Sequence, residues 1–215
     1  MDKPTPSAGF GNSENSIYIK TLAWLILLIA LLFTSIFTYT TKQSVEQEAK
    51  KEFSYECAEI KARVDARLHS NAILLNTGAA FFEASDSVSR KEWATYINQQ
   101  KIDQIIPGIQ GVGYAVILSG ENLSKHVDHI RSTGFPEYSI RPAGKRDFYS
   151  SIVYLEPFSD RNLRAFGYDM FSEPVRRKAM QQACDSNQAA LSGKVVLVQE
   201  TKTDVQAGSL MYVPV

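Results

Sequence analysis

Tyr154 and Glu156 stand two apart in SIVYLEPF, Ser151 to Phe158, a run with the composition of a strand. The two-residue side-chain period of a strand puts both on one face and turns Leu155 to the other. Tyr168 and Asp169 lie in a second short strand, Phe166 to Met170, just ahead of Ser172-Glu173-Pro174. That triplet is a helix start, with a capping hydroxyl, an early acid and an early proline. A helix N-terminus offers free N–H groups and partial positive charge, which suits an anion. Arg176 and Arg177 fall in the first turns of this helix, and a guanidinium can fork onto a carboxylate. The chemistry on offer is therefore recognition of a small ligand by Tyr154, Glu156, Tyr168, Asp169 and Arg176. A structural use of the same residues competes with it: Asp169 pairs with Arg176 to fix the helix on the sheet, while Tyr154 and Glu156 pack or face solvent.

Other chemistry is thin. His126 and His129 are three apart on a helix, but no third ligand stands at matching spacing, so no metal centre is expected. There is no G-x-S-x-G elbow, no H-E-x-x-H and no phosphate-binding glycine loop. Glu156 and Asp169 have no neighbour to supply a second catalytic role. Neither an enzyme nor a cofactor is expected within these residues. Acidic and basic residues balance at 23 each with no basic run, which argues against a nucleic-acid partner. Of the two cysteines, Cys57 falls in an apolar stripe, so two buried thiols are expected rather than a disulfide.

The elements that must carry these residues begin at a membrane. Thr21 to Thr41 contains no charge, no glycine and no proline, and lies between Lys20 and Lys42. Its roughly 21 residues make a helix of about 31 Å, close to the hydrocarbon thickness of a bilayer. The hydroxyls of Thr34, Ser35 and Thr38 can bond back to the preceding turn. Trp24, Tyr18 and Tyr39 suit the headgroup regions. No small-residue cleavage site follows, which favours an uncleaved anchor over a signal peptide. The expected organisation is a disordered cytoplasmic tail at 1–16, a transmembrane helix at 17–41, a stalk helix at 42–76 and a domain at 77–215. Lysines on the two sides of the span do not settle orientation; the large polar domain places itself outside the cytoplasm.

In the stalk, Val45, Ala49, Phe53, Cys57, Ile60, Val64, Leu68 and Leu75 follow steps of three and four, with Ala72 between the last two. Such a stripe serves a core helix, a homodimer seam, or both on different turns. A further apolar helix is expected at Ile73 to Ala84, and a capping box, Ser89 with Glu92, opens the next one. Strands are expected at Gly111–Leu118, Tyr138–Arg141, Ser151–Phe158, Phe166–Met170, Lys194–Glu200 and Ser209–Val213. Helices are expected at Glu121–Ser132 and from Ser172 to about Ser186. The fold class is α+β: an anchor and long stalk helix, then antiparallel strands with packed helices. The last strand ends close to Val215 with no closing element or output, so the chain is expected to continue beyond it.

FFEASDSVSRKEW (Phe81–Trp93), PGIQGVGYAV (Pro107–Val116), GFPEYSIRPAG (Gly134–Gly144), IVYLEPF (Ile152–Phe158), GYDMFSEPVRRKAM (Gly167–Met180) and ALSGKVVLVQE (Ala190–Glu200) resemble, in this order, the segments of a CHASE domain. The resemblance covers about 130 residues. It implies a PAS-like sheet mounted on a long helix and a sensory role outside the cytoplasm. Further implications are a small-molecule ligand and a histidine kinase or cyclic-dinucleotide cyclase as output. Ligand-binding members of the family are plant receptors for cytokinins, in which a carboxylate on the strand matching Ile152–Phe158 holds the ligand. Glu156, next to Pro157, is what this chain offers there, and only the pocket location carries over. The alternative function is a membrane-anchored interaction module whose sheet binds another envelope protein.

Overall fold

The computed structural model describes residues 12–199 and 207–215, with side chains from residue 17 onward. The chain divides into two units, residues 1–63 and 64–215. The first consists, where described, of the helix α1, which spans Asn12–Glu83 and so runs on into the second unit. No proline or glycine interrupts it before Gly78, so the expected boundary at Asn76 is no break, and the helix already includes residues 12–16 of the expected tail. It is the one helix, among the described residues, long and apolar enough to cross a membrane. Thr34 and Thr38 donate to the carbonyls of Ala30 and Thr34, both at 2.8 Å, which removes their hydroxyls as a polar cost. Farther along, Glu59 pairs with Arg63 at 2.5 Å and Lys42 with Glu46 at 3.9 Å. Cys57 is exposed on this helix, as its whole apolar stripe up to Val64 is, so its expected burial is not met within one chain.

The second unit packs three further α-helices of ten or more residues around small antiparallel sheets. Helix α2 (Arg90–Gln99) opens on the capping box: Ser89 Oγ accepts from the Glu92 N–H, and the Glu92 carboxylate accepts from the Ser89 N–H at 2.8 Å. Trp93 and Ile97 on its inner face join Leu74 of α1, Ile106 and Val112 in one core. A single turn, α3 (Ile102–Ile105), precedes strand β1 (Val112–Ser119), and helix α4 (Leu123–Ser132) follows it. Strand β2 (Phe148–Glu156) pairs antiparallel with β1. Tyr114 faces Tyr154 while Ala115 faces Ile152, so Val153 is a bulge residue with no partner. Val153, Ile130 and Tyr138 form a second core.

Two expected strands shrink to isolated bridges. Tyr138–Arg141 lies between Pro136 and Pro142, neither of which has an N–H to give a ladder. Only Arg141 bridges, to Tyr168, and Asp169 bridges to Ser151. Gly167 lies beside them at φ 78°, and a Cβ there would collide with the Ser139 carbonyl oxygen, so this crossing requires glycine. Helix α5 (Pro174–Ser186) follows a 3₁₀ turn at Met170–Ser172. Its cap is Glu173 rather than Ser172: the Glu173 carboxylate accepts from the N–H groups of Val175 and Arg176, while Ser172 Oγ donates to the Asp169 carbonyl. The long strands expected at 194–200 and 209–213 are two-residue pairs: β3 (Ala190–Leu191) with β6 (Met211–Tyr212), and β4 (Val195–Val196) with β5 (Ala207–Gly208). Glu200 lies outside the described residues.

Candidate functional site

The face of β2 that carries Tyr154 and Glu156 is occupied by the protein itself. Arg90, the first residue of α2, lies 4.5 to 5.3 Å from the ring centroids of Phe135, Phe158, Phe166 and Tyr154. Its Nη2 donates at 2.8 Å to the carbonyl of Val153, the bulge residue. Burial lowers the Arg90 pKa below its ordinary value. Tyr154 Oη donates to the Val88 carbonyl at 2.8 Å. Glu156 is buried and accepts from the Phe158 N–H at 3.1 Å. Desolvation raises its pKa, against the opposing pull of that N–H and of Arg90. These two residues thus share a face, as the strand period requires, and that face is a packed aromatic cluster around a cation.

Asp169 is fully buried and fully bonded. Its Oδ1 accepts from the N–H groups of Ser150 and Phe171 at 2.8 and 3.1 Å, and its Oδ2 from Arg146 Nε at 2.8 Å. The expected Asp169–Arg176 pair does not form; Arg146, from the loop before β2, takes that place. Asp169 joins that loop to β2 and the 3₁₀ turn before α5, which is structural work. On the neighbouring helix α4, His126 Nε2 lies 3.0 Å from Tyr138 Oη, which is 2.6 Å from Ser151 Oγ. Burial lowers the His126 pKa and raises that of Tyr138.

A cavity of about 470 Å³ lies against the β1–β2 sheet, lined by Ile152 and Leu155 of β2 and by β1 residues of both faces, Tyr114 among them, within the range of small-molecule sites. Ile152 and Leu155 both reach it although they are three apart, because the Val153 bulge reverses the alternation between them. Leu74, Gly78 and Phe82 of α1 form one wall, Met180 and Ala183 of α5 another, and residues 210–215 a third. Of the five residues predicted from sequence, Tyr168 and Arg176 line this cavity; Tyr154, Glu156 and Asp169 do not. A smaller hollow of about 350 Å³, between Gly134–Arg141 and Leu163–Phe166, contains none of the five. Cys184 is an exposed thiol at the cavity edge, not a buried one, because it follows Ala183 and so falls one residue off the buried stripe of α5.

Arg176 is the only charged side chain among the described residues lining the larger cavity. It is 3% exposed, and it donates from Nη1 to Tyr168 Oη at 2.9 Å and from Nη2 to the Val196 carbonyl at 2.7 Å. Its guanidinium carbon lies 5.0 Å from the Tyr168 ring centroid. Phe82, Trp93, Tyr114 and Met170 supply the apolar wall. Sequence reasoning placed Phe82 in an apolar helix but had no means of turning it toward a ligand, since core and cavity residues share one periodicity. Arg90 follows a helix cap and carried no signal at all.

A search of curated proteins finds no match to this chain. The family model of the CHASE domain matches residues 86–215, which include α2 to α5, the six described strands and most of the cavity wall. The chain therefore belongs to the CHASE domain family, the sensory extracellular domains of membrane receptors.

Proposed function

We propose that this chain is the ligand-sensing region of a membrane-bound signalling receptor and that a small molecule binds in the cavity bounded by α1, α5 and the β1–β2 sheet. The observation that carries this reading is the makeup of that cavity: an apolar hollow of ligand size with one buried cation, walled in part by Leu74, Gly78 and Phe82 of α1. The same helix includes the apolar segment suited to a bilayer, so a ligand that alters packing on its C-terminal turns acts on the element leading to the membrane. The energy for such a change is the ligand's difference in affinity between two packings. The apolar segment anchors the chain in the cytoplasmic membrane with the domain outside it, the stripe from Val45 to Val64 pairs with its copy in a homodimer, and a histidine kinase or cyclase receives the signal.

The test is a melting screen of the full chain in lipid nanodiscs against a library of small metabolites, beside Ala79→Phe. Ala79 lines the cavity from α1 and is half-buried, so the larger ring fills the space. A compound at about 100 times its Kd stabilises by about 2.7 kcal/mol, or roughly 5–10 °C for a domain of this size. The expected result is such a rise in the parent chain and none in Ala79→Phe. No active compound, or an equal rise in both, contradicts the reading.

A further inference from the structure

Burying a guanidinium is costly unless an anion compensates it. Arg176 has no such partner among the described residues, where the ion pairs are Lys42–Glu46, Glu59–Arg63 and Arg146–Asp169. The acid nearest in sequence, Glu173, is committed to the N–H groups of Val175 and Arg176. Asp169, the other acid close in sequence, is committed to Arg146 and two backbone donors. The two groups bonded to the guanidinium, Tyr168 Oη and the Val196 carbonyl, are neutral. Tyr212, which also lines the cavity, does not supply the charge either, because burial raises its pKa and keeps it a phenol. The cation is therefore held at the wall of a space whose other lining side chains, among the described residues, are uncharged and mostly apolar, and it is oriented by two hydrogen bonds and one ring.

We propose that the cavity takes an organic anion, an apolar body of aromatic size bearing a carboxylate or comparable acid, with the acid seated on Arg176. This rests on the reading that the cavity is the sensory site. The body packs against Phe82, Trp93, Tyr114 and Met170, and the acid completes the charge that no described residue compensates. A planar guanidinium also prefers a planar two-oxygen partner, so carboxylates fit better than spherical anions such as chloride.

The experiment titrates matched probes into the full chain in nanodiscs near neutral pH: 3-phenylpropionate against 3-phenylpropionamide, and octanoate against octanamide. Melting temperature and the fluorescence of Trp93, read in a Trp24→Phe background, report binding. The expected result is that each acid binds about 10- to 100-fold more tightly than its amide, the loss expected when a charge-assisted hydrogen bond is removed. Arg176→Gln is expected to abolish the preference and Arg176→Lys to keep part of it. The acid–amide comparison in the parent chain decides even where Arg176→Gln folds poorly. Equal binding of acid and amide, or a preference that survives in folded Arg176→Gln, overturns the anion assignment. Failure of every acid also overturns it, while the metabolite screen with Ala79→Phe decides separately whether the cavity takes any ligand.

Discussion

Asp169 and Arg146 form the buried ion pair among the described residues: Arg146 Nε donates to Asp169 Oδ2 at 2.8 Å, with the carboxylate fully enclosed and the arginine side chain 24% exposed. This pairing sets Arg176 free of Asp169, and the two residues that sequence spacing joins belong to different structures. Asp169 secures the backbone where the loop before β2, β2 itself and the turn before α5 meet. Arg176 faces the cavity.

Asp169→Asn turns one accepting oxygen into a donor against Arg146 or a backbone N–H. The expected loss is about 2–3 kcal/mol, which lowers Tm by about 4–12 °C. Arg146→Gln leaves two backbone donors on the carboxylate and is expected to cost about half as much. Thermal melts of both variants check the order; a larger loss from Arg146→Gln would assign the main role to the arginine.

Arg90→Met keeps much of the side chain's length inside the aromatic cluster and removes the charge. It loses four ring contacts and the bond to Val153. An expected destabilisation of about 1–2 kcal/mol follows. If the Arg90→Met variant melts with the parent, the cost of desolvating the guanidinium cancels those contacts and the expectation fails.

Glu156 has a raised pKa in the fold, so the folded chain holds that proton to higher pH than the unfolded chain does. Its contribution to stability is then complete below the ordinary carboxylate range and declines as pH rises from about 4.3 upward. The Tm advantage of the parent over Glu156→Gln is expected to shrink over that rise. His126 has the opposite sign. Its pKa is lowered, so its contribution is present above about pH 6.5 and is lost as pH falls below that value. Melts of Glu156→Gln and His126→Gln across pH separate the two slopes; a parent-minus-Gln difference that is flat in pH contradicts the assignment for that residue.

On α1, single cysteines at Val45 and Ala49, in a background lacking Cys57 and Cys184, are expected to cross-link between chains faster than cysteines at Glu46 or Gln47. Equal rates around the helix contradict a defined seam.

Much of the frame was legible in sequence because its signals are local. The uncharged run to Thr41 lies within one continuous helix, and the Ser89–Glu92 box and the Pro174 start each act within one or two turns; each stands where spacing put it. Sheet partners are not local. A valine-rich run such as 194–199 shows fitness for a strand but not the length of the edge it meets, and only Val195–Val196 pairs. The candidate site was half legible for the same reason. Strand alternation correctly joined Tyr154 to Glu156, but nothing in the residues announced the bulge at Val153 or that Arg90, some sixty positions earlier, fills their face. Tyr168 and Arg176, placed by a crossing and a helix start, reach the cavity.

Hydrogen exchange of the full chain in nanodiscs, with and without a compound that raises its Tm, tests the central claim most directly. Residues 74–82 of α1 and 176–184 of α5 wall the cavity from opposite elements. The predicted result is that both segments gain protection together when the compound binds. Protection confined to the hollow at Gly134–Phe166, or absent from α1, would contradict a ligand held in this cavity.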